Sequence, residues 1–427
     1  MPPRVERAER LQAVGGFSGG FFMVSRQIHI NAPLLLKITM IFTRSFILVA
    51  LINFMVMLAY YLLFIVSGPY AHESFCASPS AAGLVAGLML VGCLAGRFMI
   101  GGILHTVGFR KILLVGIVIY TVSMLLYHVA DNLPALMGVR FLSGVGVGCI
   151  GAVTTTLIAY LIPPSRIGQG IGYFSLSTIL ALALGPFLGI LLMQYLPYHL
   201  IFLLCSGFGM ISFFTAITLK IPPNATPDNP HHASASHLRN YLDCEVIPLA
   251  LVVLLVATCY GALQAFLSFY ARELDLAHSA SFFFLIYAVV IFASRPVAGK
   301  IFDHKGANHI IYPALILTVC GFILLALTRT TPMLLLSGIL LGVGIGNFQS
   351  TAQAASLKRV PKARMGQATS TFFIFLDLGI GIGPYLLGVV IPHMGYRNLF
   401  FLLAVISAVS LPAYYAAHGK KHGKNQG

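Results

Sequence analysis

RFMIGGILHTVGFRK, residues 97–111, has an echo at residues 295–309, RPVAGKIFDHKGANH. Arg97, Gly101 and Gly108 are matched by Arg295, Gly299 and Gly306, each 198 positions later. The offset then continues without a gap. Gly144, Gly146 and Gly148 answer to Gly342, Gly344 and Gly346; Pro163, Arg166, Gly168 and Gln169 to Pro361, Arg364, Gly366 and Gln367; Gly185-Pro186 to Gly383-Pro384. These twelve identities at one fixed offset are nearly all Gly, Pro or Arg, residues that mark turns, close contacts and charge rather than bulk apolar filling. The chain is two copies of one unit, and that duplication frames every other motif.

The composition places the unit in a membrane. Of 427 residues, 58% are hydrophobic and only 9% charged, far outside the range of soluble domains. Apolar runs recur at the length of about 20 residues that crosses a bilayer. An all-α polytopic membrane protein follows, and a secreted or nucleic-acid-binding protein is excluded. The net charge of +15 sits in short segments between apolar runs, where it retains loops on the cytoplasmic side. Seven cysteines form no CxxC pair and read as small packing residues, not a disulfide or metal framework. The adjacent His231 and His232 lie in a polar loop and read as solvated.

Twelve spans are expected, six per unit. They fall near 46–67, 81–100, 112–130, 133–160, 167–195 and 199–219, then 247–270, 278–299, 309–328, 332–356, 364–391 and 396–417. A basic loop over 101–111 joins the second and third. Residues 1–45 read as a cytoplasmic extension, 46–220 as the first six-helix bundle, 221–246 as a Pro/Asn/Ser-rich linker, 247–417 as the second bundle and 418–427 as a basic tail. The Gly/Phe tract GGFSGGFF near the start lacks a cleavage site and does not read as a signal peptide. Loops on one side carry Arg110, Lys111, Arg166, Lys220, Lys300, Lys305, Lys358, Arg359 and Arg364, against Arg272, Arg329 and Arg397 on the other. Both termini are therefore expected in the cytoplasm, in the plasma (inner) membrane. Units with an even number of spans enter from the same face. They are parallel repeats, and a site between them can open to either side as they rock.

The repeated cytoplasmic motif resembles the signature of the major facilitator superfamily, G-x-x-x-D-[RK]-x-G-[RK]-[RK], between spans two and three. The second copy keeps Gly299, Asp303, Lys305 and Gly306, with His304 for a basic residue; the first keeps Gly101, Gly108 and Arg110 but has His105 where the Asp belongs. The resemblance implies a gate at these residues. Gly299 is expected to allow close helix contact and Gly306 a tight turn, while a histidine latch at His105 would be pH-sensitive. Arg97 and Arg295 are expected near the cytoplasmic ends of their spans, anchoring or gating. Gly185-Pro186 and Gly383-Pro384 are similar to the exporter pattern of the family, in which Gly-Pro bends the helix.

Two ionisable residues are expected within spans. Arg140, followed by Gly144, Gly146 and Gly148, resembles the membrane arginine motif of the family, and a role in substrate or proton coupling is expected for it. Asp377 is the only carboxylate well inside a span and is read as a lone proton carrier, the alternative being a hydrogen bond or salt bridge between the halves. The resemblance also places spans one, four, seven and ten around the cavity. Their candidate lining is Asn53, Tyr60, Tyr61, Thr154, Thr155, Tyr160, Tyr260, Gln264, Asn347, Gln349 and Gln353. Such a surface suits a small molecule of mixed polar and apolar character, one that can carry an acidic group.

No HExxH, GxSxG or GxxxxGK[ST] appears, so neither an enzyme, a metal site, a cofactor nor a nucleotide-driven pump is expected. The expected partners are a small-molecule substrate, protons and lipid, acting on a monomer. The resemblance implies a secondary transporter, first of all proton-coupled efflux, with a proton-coupled importer or uniporter of a sugar-like or organic-acid metabolite as the alternative. A receptor or scaffold on the same fold is the alternative of another class.

Overall fold

The computed structural model describes residues 42–162, 167–220, 242–361 and 364–419; the side chains of 101–106, 159, 167–169, 172, 366 and 418–419 are not described. The N-terminal extension, most of the linker with its histidine pair, and nearly all of the basic tail lie outside the described residues.

Twelve helices of membrane-crossing length and hydropathy are present among the described residues. The first unit contains α1 (Arg44–Phe75), α2 (Pro79–Val107), α3 (Phe109–Leu126), α4 (Leu133–Leu161), α5 (Ile167–Tyr195) and α6 (Tyr198–Thr218). The second contains α7 (Ile247–Glu273), α8 (Ala277–Lys305), α9 (Asn308–Ala326), α10 (Thr331–Lys358), α11 (Met365–Gly388) and α12 (Ile391–Tyr414). Local chemistry sets the starts. The Thr43 hydroxyl accepts from the Phe46 amide at 3.2 Å to cap α1, and Asn132 Oδ1 accepts from the Ala135 amide at 2.9 Å to cap α4. Proline in the first turn opens α4, α7, α10 and α12, where its missing donor costs nothing.

The repeat seen in sequence is a repeat of helix ends. α2 and α8 begin and end 198 positions apart, and each stops at a glycine in the left-handed region, Gly108 at φ 84° and Gly306 at φ 82°. A side chain at either glycine would be strained although space is open around both, so the tight turn expected at Gly306 is present for a backbone reason. The expected 101–111 loop is corrected by the same observation. Backbone helix runs through Val107, and a single glycine separates α2 from α3. Arg97 and Arg295 consequently lie ten residues inside their helices, about 15 Å from the end, farther from it than expected.

Each unit has its own core. Val49, Leu62, Val85, Ile117, Val153 and Phe202 belong to the first, and Val253, Phe266, Phe283, Phe322, Leu341 and Phe400 to the second. Phe64, Ile65, Ala86, Leu90 and Ile190 from the first unit pack into the second core and tie the halves together. The halves meet along two seams, α2 against α11 and α5 against α8, with α1 and α7 between them. Lipid offers no hydrophobic drive for helix association, so these seams depend on close packing and on polar contacts.

Candidate functional site

The α2–α11 seam is built on small residues at helical spacing. A Cβ at Gly87 would overlap the Gly381 carbonyl oxygen, and one at Gly83 would overlap that of Pro384. A Cβ at Gly388 would lie 2.6 Å from Ser80 Cα, and the Ser80 hydroxyl donates to the Tyr385 carbonyl at 3.2 Å. Ser80, Gly83 and Gly87 lie on one face of α2, Leu90 and Val91 continue it against Gly381, and charge follows ten residues beyond Gly87. Arg97 Nη1 donates to Asp377 Oδ2 at 2.6 Å, across the two halves. The Asp377 side chain is 12% exposed and that of Arg97 37%, so the acid is buried and the guanidinium reaches it from a more open position. The guanidinium also stands 6.0 Å from the centre of the Phe373 ring, one turn from Asp377. Asp377 is therefore not the lone acid expected: a cation 280 positions away partners it.

The remaining contacts between halves described here lie toward the end opposite Gly108 and Gly306. Arg272 of α7 pairs with Glu73 of α1. Gln194 Nε2 of α5 donates to the Ala277 carbonyl at 3.1 Å and to the Ser281 hydroxyl at 3.3 Å, and Phe187 meets Phe282 at 5.6 Å between ring centres. At the basic end, Asp303 and Lys305 are exposed, and neither side chain makes a hydrogen bond or ion pair among the described residues. A Cβ at Gly299 would meet nothing within 4 Å, which corrects the expected close contact there. Arg110 donates to the Ile217 carbonyl at 3.2 Å within its own half. The side chains of Gly101 and His105 lie outside the described residues.

Arg140 is placed differently from the expectation. It is fully buried, and its donors are consumed inside the first half: Nε to the Val85 carbonyl and Nη2 to the Ala86 carbonyl, both at 2.9 Å. Nη1 reaches Met89 Sδ at 3.1 Å and Tyr127 Oη at 3.3 Å. All of these lie on α2 or just after α3, so four of the five guanidinium donors fasten α4 to its neighbours. The glycines of the Gly-Pro pairs pack within their own halves, while the Pro384 carbonyl faces Gly83 across the seam. A Cβ at Gly185 would lie 2.5 Å from Tyr61 Cβ, and one at Gly383 would lie 2.9 Å from Thr258 Cα, so each lets α5 or α11 approach α1 or α7 of its own half. Pro186 and Pro384 sit inside continuous helices.

The expected cavity lining divides in two. Asn53 is buried and donates to Ser177 and Thr178 at 2.9 and 3.0 Å, joining α1 to α5. Thr155 donates back to Gly151 O at 2.6 Å, and Thr154 to Ile150 O at 2.9 Å, both within α4. Around the middle of the bundle the aromatic residues gather. Tyr60 and Tyr61 meet edge-on at 5.0 Å, and Tyr260 stacks on Tyr287 at 5.8 Å while its hydroxyl accepts from Gln264 at 2.9 Å. Gln349 and Tyr260 border a small apolar cavity with Val256, Phe348 and Leu376. Asn347 donates to Ser294 and Val343, leaving Oδ1 buried without a partner. Gln353 is half-buried. Tyr287 and the Gly83/Gly87 face belong to this region and were not singled out from the sequence; the small-x-x-x-small spacing on α2 is the signal that could have found the latter.

A model of the Major Facilitator Superfamily matches residues 49–384, with a second match over 314–427. The chain belongs to the major facilitator superfamily. Among similar proteins, an uncharacterized MFS-type transporter of Methanocaldococcus jannaschii is 22% identical over 339 residues, covering 77% of this chain and 86% of that one. Multidrug resistance protein MdtG of Klebsiella pneumoniae is 25% identical over 342 residues, covering 76% and 82%. The fold is that of the nucleoside transporter NupG, with a TM-score of 0.74 at 14% identity over 88% of this chain and 99% of the other. It is also that of a bacterial homolog of the lysosomal transporter Spinster in an inward-facing, occupied conformation, with a TM-score of 0.72 at 14% identity over 87% and 96%. The protein is thus a multi-pass membrane transporter and not an enzyme.

Proposed function

We propose that this transporter exports a small organic molecule in exchange for protons, with Asp377 as the proton carrier and Arg97 as its counter-charge. The observation that carries this reading is the ion pair between α2 and α11 in mid-helix. An ionised carboxylate at that depth is stable only beside a cation. Protonation removes the charge of the acid, and with it the attraction that joins the halves on that seam. Loss of the proton restores it. A protonation event is thereby tied to the separation of α2 from α11, which alternating access requires.

The Lys/Arg distribution supports a cytoplasmic basic end, with both termini on that side and the chain in the plasma (inner) membrane. In that orientation the contacts at Glu73–Arg272, Gln194–Ala277 and Gly83–Pro384 close the outside, and Asp303 stands unlatched on the inside. The state is then inward-facing, the one in which an exporter receives its cargo. Efflux is supported by the similarity to MdtG and by the exporter-like Gly-Pro pattern of α5. Both halves of the path come from one chain, so a monomer suffices. Reconstitution in proteoliposomes tests the reading: compounds chosen by a resistance screen in efflux-deficient cells should accumulate when the pH gradient is imposed. Movement that ignores the gradient removes proton coupling, and no movement at all removes transport.

A further inference from the structure

The duplicated arginines share a position but not a partner. Arg97 and Arg295 each lie eighteen residues from the first residue of their helix and ten from the last. Arg97 has Asp377 at 2.6 Å. The residue 198 positions before Asp377, which would serve Arg295 in the same way, is Ile179. Arg295 continues the buried face of α8 that contains Phe284, Tyr287, Ala288 and Ile291. Among the described residues its Nε is buried without a hydrogen-bond partner, and Arg295 forms no ion pair with a carboxylate.

We infer that Arg295 is the anchor for an anionic substrate, a carboxylate carried on an aromatic or apolar body; this rests on the transporter reading above. An uncompensated guanidinium inside a membrane bundle is costly, and a ligand that neutralises it recovers that cost. The planar fork of donors fits a carboxylate with two parallel bonds, which a phenol cannot supply. The half-buried ring of Tyr61 offers flat apolar surface for the body of the ligand, while the Tyr260–Tyr287 stack is itself buried in this state. Binding then supplies to α8 the counter-charge that the duplication left out at Ile179. Arg97 is already compensated by Asp377, and Arg140 is fully buried with each of its nitrogens bonded inside the first half.

The test uses the full chain in lipid nanodiscs at pH 7.5 and three isosteric probes: 1-naphthoate, the uncharged 1-naphthamide and the cationic 1-naphthylmethylammonium. Thermal stabilisation is read against probe concentration. The wild type should be stabilised by naphthoate at concentrations at least tenfold lower than by the amide or the cation. Arg295→Gln should abolish that preference, and Arg295→Lys should keep part of it. Equal response to anion and amide in the wild type, or a preference that survives Arg295→Gln, overturns the proposal. Binding is read without a gradient, so failure of proton-driven transport leaves this result standing, and the reverse.

Discussion

Arg97 and Asp377, 280 positions apart in sequence, form an ion pair that joins the two halves of the molecule at the point where the glycine seam of α2 and α11 ends. Toward the far end the halves touch backbone to backbone, through Gly87–Gly381 and Gly83–Pro384. Toward the basic end the gate residue Asp303 is exposed and makes no described contact. The pair therefore sits at the border between the close-packed seam and the basic end, where a change of one charge acts on the contact between the halves.

The seam makes a steric prediction. Gly87→Leu should prevent α2 from approaching α11, because even a Cβ overlaps the Gly381 carbonyl. Cross-linking of Glu73→Cys to Arg272→Cys by a short bifunctional reagent should fall several-fold in that background. Gly299→Ala, in open space, should leave the yield unchanged. Equal yields in all three backgrounds would contradict the account of the seam.

Arg140 makes a stability prediction. Arg140→Met leaves Tyr127 and the α2 carbonyls without their donor, at a cost of about 1–3 kcal/mol. The midpoint of thermal unfolding in detergent should drop while the apparent substrate KM is retained. A KM change with unaltered stability would return Arg140 to the substrate site.

The exposed pair Arg272–Glu73 should matter little by itself. About 41–43% of each side chain is open, and pairs of this kind contribute about 0.2–1 kcal/mol. Glu73→Gln should shift the population of the closed far end by no more than about fivefold, as read by spin-label distances between α1 and α7. The double exchange Glu73→Arg with Arg272→Glu should restore it. A tenfold or larger effect would mark the pair as the principal outer latch.

Orientation has a direct check. Ser78 lies exposed in the turn between α1 and α2, and Ser236 belongs to the linker. Cysteine at the first should label with an impermeant thiol reagent from outside, and at the second only after the membrane is opened. The reverse pattern overturns the placement of the basic end in the cytoplasm.

Duplication and span number were legible because a fixed 198-residue offset survives in residues with backbone or charge constraints, such as Gly108/Gly306 and Arg97/Arg295, whereas α2 and α8 run several residues past their expected ends. The Gly-Pro pairs were legible as close packing but not as to which helix they touch, since spacing within one helix does not name its neighbour. The partner of Asp377 was hidden for two reasons. It lies in the other half, and the glycine-rich stretch after Arg97 imitates a loop, which put the arginine at the surface. Arg140 misled in the opposite sense: an intramembrane arginine needs acceptors, and here they are carbonyls of α2 that no motif records.

The central claim is that the charge of Asp377 couples proton movement to separation of the halves, and Asp377→Asn addresses it most directly. Asparagine keeps the shape and can still accept from Arg97, but it cannot titrate. Wild type and variant are reconstituted side by side, and substrate accumulation against its gradient is measured with an imposed pH difference, together with gradient-free exchange. The account predicts that the variant loses gradient-driven accumulation and retains exchange. Accumulation by Asp377→Asn at the wild-type rate and stoichiometry would contradict it, and would leave Asp377 as a structural bond to Arg97.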